Sequence, residues 1–389
     1  MKIKRTVGNV QLMQKINRLQ VLRCIRRYEP VSRPAVAEET GLSLSSITNI
    51  VNYLMERRLV RETGVEEIER VGRKAALLRF DGGAYRLLCV YVERDSATID
   101  YTDLSGEVCD REVVSIEGEE PPALFQTIKA ACRTLLDRHP GEQVLGIGFA
   151  VSGLILEESN YILSASLRWK AFHVKRDLES SFDIPVFIEN VSVTRAVWQL
   201  SREKQGGKGR NVIFFDLDKG VGAVQLIDGE LNRSLLGEIG HTTVERDGPA
   251  CFCGNRGCLE ALCSVDRIVS QYRALRPDRP DIAFEEIVAA QRAGDPTAGR
   301  VLTECGEYLG IGLANVVNIF HPDRIIINSG AYAGCELIFR VAVDELKRRA
   351  NSLLTRELEV ERVVISGDDS CRGIALHLSN SIFETVFPL

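Results

Sequence analysis

Apolar residues in the first eighty positions recur every three or four residues in three stretches, which is the period of an amphipathic helix. The first stretch runs from Val10 to Tyr28. The second is predicted to follow Ser32 and to end at Gly41, because serine caps helix N-termini and glycine accepts the positive φ of a helix end. The third is predicted to follow Ser43, to end near Arg58 and to bury five apolar side chains. These are Leu44, Ile47, Ile50, Val51 and Leu54.

The residues after the third helix predict a β-hairpin. One extended stretch begins near Val60 and the other spans residues 75–80, with charged residues between them. Residues 1–80 are therefore predicted to form a winged helix-turn-helix domain, whose third helix enters the major groove of DNA. We predict that small polar side chains of this helix read base edges, that the scattered arginines contact phosphates, and that Arg73 in the wing enters an adjacent minor groove. The predicted base readers are Ser45, Ser46, Thr48 and Asn49.

The remaining three hundred residues alternate between short apolar runs and helical stretches, which predicts an α/β fold. The helical stretches include residues 122–138 and 297–318. The predicted strands are Leu87–Val92, Thr98–Thr102, Leu145–Val151, Val186–Ile188, Val212–Asp216, Gly222–Leu226 and Arg324–Asn328.

Composition and charge narrow the class of protein. The chain has 389 residues, of which 45% are hydrophobic and 26% charged, so we expect a globular protein of two or three domains. The sequence contains neither a long apolar run nor a signal-peptide core, and we expect it to be cytoplasmic. The first 80 residues carry a net charge of +8 and the remainder −13. A basic N-terminal domain on an acidic body favours binding to a polyanion through that domain.

Eleven cysteines in a chain without a secretory signal favour reduced thiols, with some of them in a metal site. Residues 237–260 concentrate one imidazole and three thiols at His241, Cys251, Cys253 and Cys258. One histidine and three cysteines make a closed structural zinc set, with no coordination position left for a catalytic water. The alternative is that these are free buried cysteines.

On these residues the chain resembles the ROK family, which groups repressors, open reading frames and sugar kinases. Its hallmarks are a Gly-Glu-x-Gly-His element and a Cys-x-Cys-Gly-x-x-Gly-Cys-x-Glu element, and residues 237–260 contain both. Further matching stretches are Pro185–Asn190, Ile319–Pro322 and Arg372–Leu376. The resemblance implies an actin-like, ribonuclease-H-like body of two α/β lobes with a sugar cleft between them. We expect the lobes to span residues 81–195 and 196–370, with the C-terminal residues 371–389 returning to the first lobe and the second lobe carrying the oligomerisation surface.

The resemblance also implies residues for sugar binding and for catalysis. Asn190, Glu238, His241 and Glu260 match positions that hold sugar hydroxyls in the family, whereas Val191 stands where the family's kinases have their catalytic aspartate. Trp169 falls where the first lobe meets the ligand, or else in the core. Valine is unable to act as a base.

The two phosphate loops of the kinases are also altered. The first is replaced by residues 93–96, which contain no glycine, and the second carries Asp216 and Asp218, whose carboxylates are expected to repel phosphate.

These observations predict a sugar-responsive transcriptional regulator without enzymatic activity. It is expected to act as a repressor that binds a palindromic operator as a homodimer or homotetramer and is released by a sugar or sugar-phosphate in the interlobe cleft. One alternative is a regulator captured by a protein partner, such as a transporter component, with a vestigial cleft. The other is an active sugar kinase.

Overall fold

The computed structural model describes residues 10–65, 76–156, 161–164, 169–203, 210–218, 220–233 and 238–385. Within these parts of the chain, no helix combines the length and the apolar composition needed to cross a lipid bilayer.

The N-terminal head is a winged helix-turn-helix, as the sequence predicts. Its core consists of fully buried side chains from all three helices, among them Ile25, Val36 and Val51. Gly41 ends the second helix with a φ of +70°, which a side chain would disfavour. The head elements are α1 (Val10–Tyr28), β1 (Val31–Ser32), α2 (Arg33–Thr40), α3 (Leu44–Glu56), β2 (Val60–Val65) and β3 (Ala76–Phe80).

The wing is a three-stranded antiparallel sheet in the order β1-β3-β2. The predicted hairpin is therefore present, with β1 as an additional short strand on its outer edge. Residues 66–75, which join β2 to β3, lie outside the described residues, and so does Arg73 with its predicted minor-groove role.

One expectation for the head helices is wrong. Leu44 was expected to pack inward with Ile47 but is 52% exposed, because it occupies the first position of α3, between the exposed residues Ser43 and Ser45. The apolar stripe of α1 is buried only in its second half. Leu12 and Ile16 lie in the turns that extend past the head core and remain about half exposed.

The first lobe has a five-stranded mixed sheet in the order β11-β7-β4-β5-β6. One face packs against α4 and α5 around Phe125 and Phe149. A small antiparallel sheet of β8, β9 and β10 lies between β7 and α5 in the chain. The elements are β4 (Arg86–Val92), β5 (Ser96–Asp103), β6 (Val108–Ser115), α4 (Pro121–Arg138), β7 (Val144–Val151), β8 (Leu154–Leu156), β9 (Tyr161–Ser164), β10 (Trp169–Phe172), α5 (Val174–Phe182) and β11 (Val186–Asn190).

The second lobe repeats this topology with the strand order β14-β13-β12-β15-β16. In both sheets the first strand of the lobe is central, with an antiparallel hairpin on one side and two parallel strands on the other. The elements are α6 (Val191–Ser201), β12 (Asn211–Leu217), β13 (Val221–Ile227), β14 (Glu230–Leu231), α7 (Leu259–Cys263), α8 (Val265–Leu275), α9 (Phe284–Arg292), α10 (Pro296–Phe320), β15 (Arg324–Asn328), α11 (Glu336–Arg349) and β16 (Glu359–Val363).

The last helix, α12 (Gly367–Thr385), connects all three parts of the molecule. It packs on β4 and β7 of the first lobe, where Gly146 and Gly148 leave room for Ile374 and Ile382. Its C-terminal half enters the core of the head, where the ring of Phe383 meets that of Phe80 edge-on at 6.5 Å. Head and first lobe therefore share one hydrophobic core across α12.

Replacing Ser43 by alanine is expected to loosen the start of α3. The Ser43 hydroxyl oxygen accepts the backbone N–H of Ser46 at 3.2 Å, and loss of such an N-cap costs about 1 kcal/mol. Amide hydrogen exchange of the first turn of α3 in the full chain measures the effect. Ser32→Ala is the matched control, because Ser32 caps α2 without a side-chain bond. Equal exchange in the two variants would contradict the capping role.

Candidate functional site

Apart from Leu44, the exposed residues in the first two turns of α3 are polar. Ser45 and Asn49 are exposed, whereas Ser46 and Thr48 are half-buried. The hydroxyl groups of Ser45 and Ser46 lie within 3.0 Å of the Ser43 hydroxyl, and Thr48 donates to the carbonyl of Leu44 at 2.9 Å. The four predicted base readers thus lie along the first two turns of one helix, with Asn49 presenting its amide to solvent.

The arginines of α1 divide between two surroundings. Arg26 donates to the side-chain oxygen of Asn380 at 2.9 Å, and burial lowers its pKa to about 10. Arg23 bonds to Glu384 of α12. These two side chains face the body, where they join head to α12, so the prediction that the arginines contact phosphates does not extend to them. Arg18 stacks on Tyr53 of α3, 3.5 Å from the ring centre.

The predicted metal ligands come together in the second lobe. His241, Cys251, Cys253 and Cys258 place their ligand atoms within 4.8 Å of one another. The Cys251 sulfur lies 3.5 Å from Nδ1 of His241, and the Cys253 and Cys258 sulfurs are 3.7 Å apart. Ligands of a tetrahedral zinc ion are spaced by roughly 3.3 to 3.8 Å, which follows from bond lengths of about 2.0 to 2.3 Å. These residues therefore fit a metal ion of that geometry.

Two glycines shape the loop that carries the thiols. Gly254 has a φ of +93° in the turn between Cys253 and Asn255. Gly257 has a φ of +66°, and a Cβ there would lie 1.5 Å from the carbonyl oxygen of Glu245. The loop therefore requires glycine at both positions, and it delivers Cys258 to the start of α7.

The thiols differ in their surroundings. Burial raises the pKa of the Cys258 thiol to about 12 and also raises the pKa of Cys251, while a hydrogen bond from the backbone N–H of Asn255 lowers the pKa of Cys253. A buried thiolate is stable only beside a cation. This cluster of sulfurs suits a divalent ion that replaces the thiol protons.

His241 has a second contact on the other side of its ring. While Nδ1 faces the Cys251 sulfur, Nε2 lies 3.7 Å from a carboxylate oxygen of Glu238. Histidines that bind metals commonly direct their other nitrogen to a carboxylate, which fixes the ring orientation. One side chain thus connects the metal cluster to Glu238.

Of the other two predicted sugar-binding residues, Asn190 lies at the end of β11, and Glu260 lies on α7 with its carboxylate at the start of β13. Asn190 caps α6, accepting the Ser192 N–H at 2.8 Å and donating to the Gly153 carbonyl at 2.9 Å. Glu260 accepts the N–H of Val221 at 2.9 Å. Each therefore keeps only part of its hydrogen-bonding capacity for a ligand.

The resemblance matches Val191 and the turn between β4 and β5 to positions of catalysis and phosphate binding in the family's kinases. Val191 is 3% exposed and belongs to the core shared by head and first lobe. Between β4 and β5 the backbone makes a tight turn closed by the Glu93 N–H and the Ser96 carbonyl at 2.9 Å. Trp169 is 5% exposed and packs on Phe125, so of its two expected locations the core is correct.

Sequence reasoning missed Arg195. The residue is 3% exposed, and its guanidinium lies 3.1 Å from Asp216 and 2.5 Å from Asp218, the two carboxylates expected to repel phosphate. Those carboxylates are therefore paired internally. The signal in the sequence is an arginine within the apolar stretch of α6, since arginine is rarely buried without a partner.

A winged reader head joined to a two-lobed α/β body with a Cys/His cluster defines a class of regulators built on a sugar-kinase scaffold. The profile of the ROK family matches residues 87–378, and that of the IclR helix-turn-helix domain matches residues 17–64. The chain belongs to the ROK family.

Sequence similarity to named relatives covers most of the chain. The xylose repressor of Bacillus subtilis is 26% identical over 362 residues, covering 91% of this chain and 92% of the relative. The DNA-binding transcriptional repressor Mlc of Escherichia coli K12 is 28% identical over 385 residues, covering 95% and 94%. The N-acetylglucosamine repressor of Escherichia coli O6:H1 is 27% identical over 338 residues, covering 82% of each.

Solved structures agree on the fold. A ROK family transcriptional regulator, a homologue of the Escherichia coli Mlc protein, superposes with a TM-score of 0.82 at 24% identity, over 96% of this chain and 98% of that one. A ROK family glucokinase from Streptomyces griseus superposes with a TM-score of 0.63 at 22% identity, over 75% of this chain and 98% of the kinase. The kinase likeness extends over three quarters of the chain, whereas the regulator likeness extends over almost all of it.

Proposed function

We propose that this protein is a sugar-responsive transcriptional repressor. The observation that carries the proposal is the junction of a helix-turn-helix head to a sugar-kinase-like body through the shared core at α12. Relatives of full length are named repressors, two of them for xylose and N-acetylglucosamine.

The DNA-binding surface is the first two turns of α3. Ser45, Ser46, Thr48 and Asn49 read base edges, with Asn49 the strongest reader, because an exposed asparagine amide pairs with adenine through two hydrogen bonds. One head offers little contact area, so the protein acts as a homodimer or homotetramer on a palindromic operator.

The metal is a structural zinc ion held by His241, Cys251, Cys253 and Cys258. A metal bound there fixes the ring of His241 and, through it, the segment that carries Glu238. The ion supplies rigidity and no catalysis, since all four of its positions are filled by the protein.

The effector is a sugar or sugar-phosphate bound by Asn190, Glu238, His241 and Glu260. Carboxylate, amide and imidazole groups are the partners that sugar hydroxyls need. The protein has no kinase activity, because Val191 supplies no base and because Arg195 forms ion pairs with Asp216 and Asp218 of the second lobe.

A sugar panel tests this assignment. D-xylose, N-acetyl-D-glucosamine and D-glucose are added to the protein, and the melting temperature is followed. One of them is expected to raise it by several degrees, because a ligand that binds only the folded state stabilises it. Glu238→Ala is expected to abolish the shift, whereas Glu117→Ala, an exposed glutamate of the first lobe, leaves it unchanged. A shift that survives Glu238→Ala would place the sugar elsewhere, and ATP-dependent phosphorylation of any of the three would overturn the non-enzymatic assignment.

A further inference from the structure

The two lobes meet through a pair of helices. α6 packs on the sheet of the second lobe through Val193, Ala196 and Leu200, and α12 packs on the sheet of the first lobe. The helices touch closely, since a Cβ on Gly373 of α12 would lie 2.2 Å from the Thr194 carbonyl of α6. Any change in the angle between the lobes must therefore alter the contacts between α6 and α12.

Arg195 lies at this junction and donates from all three of its nitrogens. Nη1 and Nη2 bond to Asp216 and Asp218 of the second lobe, at 3.1 and 2.5 Å. Nε donates to the hydroxyl of Ser370 on α12 at 3.0 Å, and Nη2 also donates to the hydroxyl of Tyr91 on β4 at 2.9 Å. One guanidinium thus bonds to both lobes.

The four contacts have different roles. Asp216 and Asp218 belong to the same lobe as α6, and Asp216 is itself held by Asn328 at 2.7 Å, so the two carboxylates orient the guanidinium. The bonds to Ser370 and Tyr91 are the ones that cross to the first lobe. Because a guanidinium is planar and its N–H directions are fixed, all of these bonds form together in only one arrangement of the lobes.

The bonds of Arg195 make the free energy of the protein sensitive to movement of the lobes, because the guanidinium is buried. A buried guanidinium that loses its partners is left with unsatisfied donors in a low-dielectric interior, which costs far more than the loss of an exposed bond. Opening or closing of the lobes that separates Arg195 from Ser370 and Tyr91 therefore carries a definite free-energy cost.

We propose that Arg195 is a positioning residue that ties the two lobes together and holds the DNA-competent arrangement of the protein. Its bond to Ser370 engages the N-terminal part of α12, while the C-terminal part of the same helix lies in the head core and bonds to Arg26. Sugar binding in the cleft works against this tie, and its rupture shifts α12 and the head. This inference rests on the proposed function, which supplies the DNA and the sugar.

The decisive test weakens the crossing bonds and leaves the charges in place. The double variant Tyr91→Phe with Ser370→Ala removes both acceptors in the first lobe. Its matched control is Tyr101→Phe with Ser379→Ala. Tyr101 lies on β5 and Ser379 on α12, as Tyr91 lies on β4 and Ser370 on α12. Both control residues are buried, and they bond to Glu142 and the Leu104 carbonyl of the first lobe without reaching the second lobe. Affinity is measured for the duplex that the wild-type protein selects from genomic DNA, together with hydrogen exchange of α12.

We expect the Tyr91/Ser370 variant to lose at least tenfold in DNA affinity and to exchange its α12 amides faster, while the control retains wild-type affinity. Wild-type affinity in a folded Tyr91/Ser370 variant would overturn the tie, and so would an equal loss in the control. If the wild-type protein selects no duplex, the proposed function fails by itself. Hydrogen exchange then decides the tie, because α12 exchange no faster than in the control would overturn it.

Discussion

Replacing Gly373 by alanine is expected to destabilise the protein by about 3 kcal/mol, at the upper end of the usual cost of overpacking a core. The added methyl group would lie 2.2 Å from the Thr194 carbonyl oxygen and 3.2 Å from Cβ of Trp198. Both neighbours belong to α6, and the nearer one is backbone, so the two helices must separate to admit the methyl group. Gly373→Ala is therefore expected to disturb the junction of lobes and head as well as the stability.

Urea unfolding followed by circular dichroism measures this effect. Gly367→Ala is the matched control, because Gly367 begins the same helix and a Cβ there meets no atom within 4 Å. The control is expected to stay within a few tenths of a kcal/mol of the wild-type protein or to exceed it slightly, since alanine favours a helix over glycine. Equal stability of the two variants would show that α6 and α12 are less closely packed than described.

Replacing Cys258 by serine is expected to abolish metal binding and to unfold the loop between His241 and α7. The Cys258 thiol is fully buried beside Cys253, and a serine hydroxyl is a poor zinc ligand. Zinc content measured by mass spectrometry is expected to fall from about one ion per chain, the content of a single four-ligand site, to none. The melting temperature is expected to fall with it, because metal binding and folding are linked.

Cys109→Ser is the control for this substitution, since Cys109 is an exposed thiol on β6 in the first lobe. It is expected to keep the zinc. Wild-type protein that carries no metal when purified without chelator, and that melts at the same temperature with or without added zinc, would show that the four residues are free thiols and a free imidazole.

Much of the fold could be predicted because its signals are local. The three head helices have a clear apolar period and end at Gly41 and other capping residues, and the central strands are continuous apolar runs. The strands that sequence reasoning missed are either short, as in the small sheet of β8, β9 and β10, or at the edges of the large sheets, as for β6 and β16. β6 and β16 carry charged residues within the strand, as in Glu359 to Val363, and most of their residues are partly or fully exposed to solvent.

One part of the candidate site could be predicted from the sequence and another could not. The Cys/His cluster could be predicted because its spacing and glycines lie within one short stretch of sequence. The role of Arg195 could not be predicted, because its partners come from β4, β12 and α12 and are brought together only by folding. The prediction for Leu44 failed for a different reason. Its spacing from the buried residues of α3 predicts burial, but its place at the start of the helix leaves it exposed.

The central claim is that α3 binds a specific DNA sequence and that a sugar bound in the two-lobed body controls this binding. Affinity selection of fragmented genomic DNA at about 150 mM salt, where binding to phosphates alone is suppressed, tests it most directly. We expect the wild-type protein to enrich one palindrome, with half-sites about one helical turn apart, and Asn49→Ala to enrich it at least tenfold more weakly. Absence of any enriched sequence, both without sugar and with the sugar panel, would contradict it.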